Sequence, residues 1–257
     1  MRLIAGAVAS AIAAFGARKM RALSRTGAVA AFVVGTAAVV AGWSWAALLL
    51  AYFAAATILS KAGEGTKAKR IGSIVDKGDE RDATQVLANG GIFALAAVAE
   101  STVHFPAWFA IGMGALAASA ADTWATEVGT LVGKEPISII SGRRVPAGTS
   151  GGITLSGSLA GVAGALFVAA GAALARWPVT FTAVALGGIA GALSDSLLGA
   201  TLQSRRWCDA CEKGTERLVH DCGSRTRRIG GVAAMDNDAV NAICSLVGAL
   251  ITLLLSQ

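Results

Sequence analysis

Residues 90–127 read GGIFALAAVAESTVHFPAWFAIGMGALAASAADTWATE. Two apolar runs, 90–103 and 105–121, are separated by His104 alone, and the second run ends on the carboxylates of Asp122 and Glu127. Apolar runs of this kind, joined by so tight a turn, predict a pair of transmembrane helices. The second helix is then expected to carry acidic side chains to one boundary of the membrane.

The rest of the chain repeats this pattern. Hydrophobic residues make up 54% of it and charged residues 15%, whereas a soluble domain is about 25% charged. Several apolar runs are shorter than the roughly 20 residues that a full crossing needs, so the count stays approximate. The sequence predicts an all-α bundle of about seven or eight transmembrane helices in a single domain, residues 1–257. The remaining runs are 3–16, 27–41, 44–60, 152–175, 179–202 and 238–256.

The basic residues collect in four loops between these runs. The loops 17–26, 61–89, 122–151 and 203–237 hold 20 of the 22 Lys and Arg residues, and with eight spans all four lie on one side. Because basic loops stay on the cytoplasmic side, the sequence predicts a prokaryotic cell-membrane protein with a cytoplasmic motif face and both termini outside. Loops of this topology account for the net charge of +6, so membrane lipids are expected partners and nucleic acid is not.

Three carboxylates stand where spans meet this face. Asp122 and Glu127 follow one span, and Asp195 lies near the end of another. Acidic groups at such depth are costly unless they face water, a cation or a partner. Mg²⁺ commonly takes one or two carboxylates together with substrate phosphates, so a magnesium site is expected here. The alternative is that each Asp satisfies a helix end or pairs with an Arg.

The loop between these carboxylates is rich in small and hydroxylated residues. Glycines let the backbone approach an anion, helix N-termini attract anions, and Arg143 and Arg144 offer forked donors. The loop therefore predicts phosphate binding, with a flexible turn and an N-cap as the alternative. For Gly157 and Gly161 we instead expect close helix packing. The residues expected to hold phosphate are Gly148, Thr149, Ser150, Gly151, Gly152 and Thr154.

Other polar residues at the same boundary allow more than one interpretation. Lys67 and Arg70 suit phosphates or lipid headgroups, or serve topology alone. Asn89 is either a helix N-cap or an amide that points into a polar site. Before the last span, one of the polar side chains is expected to cap the helix and the others to orient a ligand. This group consists of Asp236, Asn237 and Asn241.

Within the fourth loop, the Cys/His segment 204–230 contains Cys208, Cys211, His220 and Cys222 in a C-x₂-C-x₈-H-x-C pattern. Three thiols and one imidazole are a ligand set typical of structural Zn²⁺. A cytoplasmic location disfavours disulfides. The alternative is a set of free cysteines with His220 on the surface.

Five motifs together resemble a family of polytopic membrane proteins that includes the plant phytyl-phosphate kinases. The resemblance runs from about residue 20 to the C-terminus, with the motifs in the family's order, whereas the Cys/His pattern occurs in only part of that family. The motifs are Ala83–Gly90 (ATQVLANG), Ala121–Glu127 (ADTWATE), Arg144–Gly152 (RVPAGTSGG), Ser194–Gln203 (SDSLLGATLQ) and Asp236–Asn241 (DNDAVN).

The resemblance implies transfer of a phosphoryl group from a nucleoside triphosphate, CTP in particular, to an isoprenoid monophosphate such as phytyl or geranylgeranyl phosphate. Asp122, Glu127 and Asp195 would then hold Mg²⁺. Two rival activities stay open: a lipid cytidylyltransferase and a carrier or flippase of polyprenyl phosphates. The oligomeric state, a homodimer included, also stays open. The other implied binding residues are Arg143, Arg144, Lys67, Arg70, Asn89, residues 148–152, Thr154, Ser196, Gln203, Asp236, Asn237 and Asn241.

Overall fold

The fold is described from a computed structural model, which covers residues 2–71, 74 and 80–257 and excludes the side chain of Arg2. The helices in this part of the chain are α1 (Arg2–Lys19), α2 (Arg25–Ala41), α3 (Trp43–Lys61), α4 (Glu64–Ile71), α5 (Ala83–Val103), α6 (Ala107–Val132), α7 (Leu155–Leu174), α8 (Phe181–Thr201) and α9 (Asn237–Leu255). The strands are β1 (Ile137–Ser138), β2 (Gly152–Ile153), β3 (Arg205–Cys208), β4 (Lys213–Thr215) and β5 (Arg227–Gly230).

The predicted all-α membrane bundle is confirmed. Each apolar run of the sequence corresponds to one long helix, and five of these helices, α3, α5, α7, α8 and α9, are long and apolar enough to cross a membrane. Helix α2 is apolar but shorter. Helices α1 and α6 are not among these five, so the count of seven or eight spans stays a prediction.

Helix α6 forms the centre of the bundle. Its residues 112–121 are all buried, and apart from Met113 and Leu116 they are Ala, Gly or Ser. A Cβ atom added at Gly164 of α7 would lie 2.6 Å from the carbonyl oxygen of Ala120. One added at Gly114 would lie 2.3 Å from the carbonyl oxygen of Gly248 in α9. Small residues thus let α7 and α9 pack backbone to backbone against α6, as is common for helices in lipid.

An aromatic cluster fills the bundle at the end away from the long loops. The Trp45 ring lies 5.1 Å from Phe93, 5.4 Å from Phe109 and 5.1 Å from Trp177, measured between centroids. These tilted pairs join α3, α5, α6 and the turn after α7, and each contributes about 0.5–1.5 kcal/mol beyond burial. The cluster fixes the ends of the helices opposite the polar loops.

The loops at the other end contact one another. Ser24 N–H donates to the Arg81 carbonyl oxygen at 3.0 Å, and Glu216 N–H donates to the Ile74 carbonyl oxygen at 2.8 Å. Strands β1 and β2 form one antiparallel pair, and β4, β3 and β5 form a small antiparallel sheet in that order. The loops that the sequence places on one side therefore form a single polar face.

The start of α5 differs from its expected position. The helix begins at Ala83, because Asp82 and Gln85 form a capping box in which each side chain accepts from the other residue's backbone N–H. Asn89 therefore lies inside α5, and the interpretation of Asn89 as an N-cap was wrong. Hydropathy detects only the apolar part of such a helix, and the capping box adds the turns before it.

Candidate functional site

A cavity of about 290 Å³ opens at the polar face, between α6, α7 and α8 and the loop that precedes α7. Both Asp122 and Asp195 line it. The sequence predicted that these carboxylates and the glycine-rich loop converge, and the structure brings them to one cavity. The other predicted residues in its wall are Arg70, Gly148, Thr149, Ser150, Gly151, Gly152, Thr154, Ser196, Gln203 and Asn237.

The two aspartates form the acidic centre of the cavity. Asp122 lies on α6 and Asp195 on α8, and their side chains are close enough to share a hydrogen bond. Within the described residues, no donor reaches the buried Oδ2 of Asp195. Paired carboxyl groups with an unsatisfied oxygen favour a bound cation, because an unpaired buried acceptor otherwise costs about 1–3 kcal/mol. Oxygen ligands of this type fit Mg²⁺.

The glycine-rich loop approaches the aspartates through its backbone. Gly148 and Gly151 have φ angles of +82° and +75°, in the left-handed region that favours glycine. A Cβ added at Gly151 would lie 2.6 Å from the Ser196 carbonyl oxygen. The loop is therefore pressed against α8, one residue beyond Asp195, and a larger side chain at Gly151 would displace it.

Thr154 closes the loop and starts α7. Its hydroxyl accepts from Gly157 N–H at 3.0 Å, so it is the N-cap of that helix. A Cβ at Gly157 would lie 2.7 Å from the Ala125 carbonyl oxygen, and one at Gly161 would lie 3.1 Å from that of Ala121. This close approach agrees with the packing role expected for both glycines. It also holds the N-terminus of α7 against the acidic turn of α6.

Glu216 is a cavity residue that the sequence did not single out. Its Oε1 accepts from Ser150 Oγ at 2.5 Å and from Gln203 Nε2 at 2.8 Å. Glu216 lies between Cys211 and His220 in the fourth loop, so its carboxylate comes from a segment far from the spans in sequence. Its charge inside a Cys/His loop was a weak signal, since most loop carboxylates are solvated.

Glu127 does not join the aspartates. Its Oε2 lies 2.6 Å from Lys67 Nζ, and the two side chains are only 10% (Lys67) and 19% (Glu127) exposed. Lys67 also donates to the carbonyl oxygens of Leu59, at 2.8 Å, and Ser60. Instead of an Mg²⁺ ligand and a phosphate contact, the structure shows an ion pair that ties α4 and the end of α3 to α6. The partner lies 60 residues away, which sequence spacing does not reveal.

The predicted arginines divide into two groups. Arg70 lines the cavity and donates to the Thr130 carbonyl oxygen at 2.7 Å. Arg143 and Arg144 are exposed and do not line the cavity, and Arg144 pairs with Glu135 at 3.3 Å. Since β1 and β2 turn this segment outward, the structure does not support the role expected for Arg143 and Arg144 at the phosphates.

The polar residues before and within α9 also have different positions. Asp236 is the N-cap, accepting from Ala239 N–H at 2.9 Å, whereas Asn237 lines the cavity. Asn241 is half-buried one turn later and lies outside the cavity wall. Asn89 donates to the Gln85 carbonyl oxygen at 2.9 Å and lines a second cavity.

This second cavity, of about 370 Å³, is mainly apolar and opens between α1, α2, α3 and α5. Its polar end carries Arg81, Gln85 and Asn89. Thr123 lines it, while the adjacent Asp122 lines the acidic cavity. A single turn of α6 therefore separates an apolar cavity from an acidic one.

Comparison with known proteins agrees with the motif resemblance. The model of an integral membrane protein family, DUF92, matches residues 8–249. The chain belongs to the DUF92 family. Protein PGR of Arabidopsis thaliana is 31% identical, over 98% of this chain and 95% of its own length. An uncharacterised membrane protein of Methanocaldococcus jannaschii is 28% identical over 99% and 94% of the two chains.

A third relative, an uncharacterised membrane protein of Synechocystis, is 30% identical over 64% of this chain and 65% of its own length. No solved structure matches. The integral membrane character of the DUF92 family agrees with the apolar helices of this chain.

The Cys/His loop of this DUF92 protein folds into the small sheet beside the cavity. The ligand atoms of Cys208, Cys211, His220 and Cys222 all lie within 4.8 Å of one another. His220 is 6% exposed, so the alternative of a surface histidine was wrong. Hydrogen bonds from the Ser224 side chain, the Ser224 backbone and His220 lower the pKa of the Cys222 thiol to about 6.

Proposed function

We propose that this DUF92 protein is a prenyl-phosphate kinase that transfers a phosphoryl group from a nucleoside triphosphate, CTP in particular, to an isoprenoid monophosphate. The observation that carries the proposal is the single cavity that Asp122, Asp195 and the 148–152 loop share at the polar end of the bundle. An acidic pair beside a glycine-rich backbone turn suits phosphoryl transfer, which needs positioning and charge stabilisation more than covalent chemistry.

In the proposed reaction, an oxygen of the prenyl monophosphate attacks the γ-phosphorus of the nucleotide. The bond from that phosphorus to the β–γ bridging oxygen breaks, and the nucleoside diphosphate leaves with the bond's electron pair. The glycine-rich loop places N–H groups at the phosphates, and Arg70 in the cavity wall adds positive charge. The hydrogen bond from Ser150 to Glu216 holds the glycine-rich loop against the fourth loop.

Asp122 and Asp195 are the residues that would hold Mg²⁺. The unsatisfied Oδ2 of Asp195 and the shared position of the two carboxyls support this fit. When bound, the ion neutralises phosphate charge and orients the transferred group. Glu127 is left out of this ligand set, since it pairs with Lys67.

The apolar cavity supports a lipid substrate. It lies on the other side of the α6 turn that carries Asp122, and its walls come from helices at the edge of the bundle. A prenyl chain from the bilayer would lie against these apolar walls, with its phosphate directed to the polar end of the cavity. Such an arrangement puts the active site on the cytoplasmic side if the basic loops follow the usual membrane rule.

The test uses purified full-length protein in detergent or lipid, with phytyl or geranylgeranyl monophosphate, Mg²⁺ and each nucleoside triphosphate in turn. The products distinguish the candidate activities. Prenyl diphosphate with nucleoside diphosphate supports the kinase, and release of pyrophosphate identifies a cytidylyltransferase. Movement of prenyl phosphate across vesicles without nucleotide consumption identifies a carrier.

We expect Asp195→Asn to lower turnover by at least about 100-fold, since a preorganised charge at a transferring group contributes on that scale. Glu64→Gln is the matched control, because Glu64 is exposed at the start of α4 and lies outside the cavity wall. Both variants should still insert and purify as the parent does. Turnover of Asp195→Asn within a few-fold of the parent would rule out this role.

A further inference from the structure

We propose that Cys208, Cys211, His220 and Cys222 bind one Zn²⁺ ion, and that this ion positions Glu216 in the wall of the acidic cavity. The proposal rests on the geometry of the fourth loop and does not depend on the identity of the reaction. Three thiols and one imidazole are a ligand set that structural zinc sites use.

The distances suit a tetrahedral ion. Cys208 Sγ lies 3.6 Å from Cys222 Sγ, and His220 Nδ1 lies 3.3 Å from the same sulfur. Ligands bound at about 2.3 Å (sulfur) or 2.0–2.1 Å (nitrogen) stand roughly 3.5–3.8 Å apart around a tetrahedral centre. The four groups are therefore close to the required separation before any ion is placed.

His220 adds a second observation. The ring is buried, and its Nε2 has no hydrogen-bond partner within the described residues. A buried imidazole nitrogen without a partner is costly, and a metal bound at Nε2 would remove that cost and make His220 a ligand. A disulfide would use only two of the thiols and leave His220 without a role.

The sheet connects this cluster to the cavity. Cys208 ends β3, which pairs with β4, and β4 leads directly to Glu216. One pair of ligands thus precedes Glu216 and the other pair follows it. The ion closes the loop on both sides of this residue, so the ordering entropy of the segment is offset by metal binding.

Glu216 also contacts described residues outside the fourth loop. Its carboxylate accepts from Ser150 and Gln203, and its N–H donates to Ile74. Glu216 is therefore a positioning residue for the glycine-rich loop. Loss of the ion should free this carboxylate and loosen the loop that it holds.

The first experiment measures metal in the purified full-length protein by mass spectrometry. We expect about one zinc per chain, and at least a tenfold lower content in Cys211→Ser. Cys244→Ser is the matched control, because Cys244 is buried in α9 away from the cluster. An unmodified protein without zinc, or a Cys211→Ser variant with full zinc content, overturns the proposal.

Two further measurements do not depend on that variant folding. Protein produced with Co²⁺ in place of Zn²⁺ should show the visible absorption of a tetrahedral thiolate site, and an octahedral spectrum contradicts the assigned ligands. Removal of the metal with a chelator should raise hydrogen exchange at residues 213–217 at least tenfold, while α6 keeps its protection. Unchanged exchange at 213–217 overturns the positioning of Glu216.

Discussion

The ion pair between Lys67 and Glu127 can be tested by substitution, which shows whether Glu127 stabilises the fold or belongs to the metal site. Replacing Lys67 with Met keeps most of the aliphatic chain but removes the ammonium group. Glu127 then keeps its charge at 19% side-chain exposure and loses the partner at 2.6 Å. Breaking a largely buried pair on one side costs about 3–5 kcal/mol, most of which is the penalty of an unpaired charge.

A second substitution separates this penalty from packing. Glu127→Gln in the Lys67→Met background removes the unpaired charge, so we expect the double variant to be more stable than Lys67→Met alone. For a chain of this size, 1 kcal/mol shifts Tm by about 2–4 °C, so Lys67→Met should lower Tm by roughly 6–20 °C. Thermal unfolding in one detergent, followed by tryptophan fluorescence, measures all variants on the same scale.

The same variants test whether Glu127 lies outside the proposed Mg²⁺ ligand set. Glu127→Gln alone should keep turnover within a few-fold of the parent, because Glu127 lies outside the cavity wall. A double variant no more stable than Lys67→Met would refute the buried-charge reasoning. Loss of turnover in Glu127→Gln with unchanged Tm would return this carboxylate to the metal site.

Two further predictions concern packing and the arginines. Gly114→Ala should destabilise the bundle by about 1–3 kcal/mol, because the added Cβ would lie 2.3 Å from the Gly248 carbonyl oxygen. At Gly91 an added Cβ would meet nothing within 4 Å, so Gly91→Ala should be neutral or stabilising by up to about 1 kcal/mol. Thermal unfolding measures both variants. Arg70→Gln should raise the KM for nucleotide or lipid at least about tenfold, since Arg70 lines the cavity. Arg144→Gln should leave KM within about twofold, because Arg144 lies outside the cavity wall and only pairs with Glu135 at the surface. Steady-state kinetics measure both variants.

Each of these pairs contains its own control. Equal unfolding temperatures for the two glycine variants would mean that α6 and α9 do not approach as closely as the structure shows. A larger effect from Arg144 than from Arg70 would mean that the loop containing Arg144 folds over the cavity when substrate binds.

The fold follows largely from hydropathy and charge. The eight apolar runs mark eight long helices in the described part of the chain, because burial in lipid requires apolar side chains along each span. What hydropathy misses lies at the polar face. The first turns of α5 depend on the capping box of Asp82 and Gln85, and α4 is too short and too polar to register as a span.

The site could be predicted in part for the same reason. Asp122 and Asp195 stand out because carboxylates are rare in membrane spans. Both lie near span ends on the same side of the membrane, so the sequence already places them at the same boundary. Glu127 looked equivalent but pairs with Lys67, whereas Glu216 did not stand out in the sequence but reaches the cavity. Both outcomes depend on contacts between distant segments, which position along the chain does not encode.

The close packing around α6 determines which helices of this protein can move. Close backbone approaches to α7 and α9 restrict the sliding and rotation of this helix, which carries Asp122. Helices α1, α2 and α3 border the apolar cavity instead. A hydrophobic molecule arriving sideways from the bilayer would therefore part the outer helices, while the acidic turn on α6 stays in place to receive it.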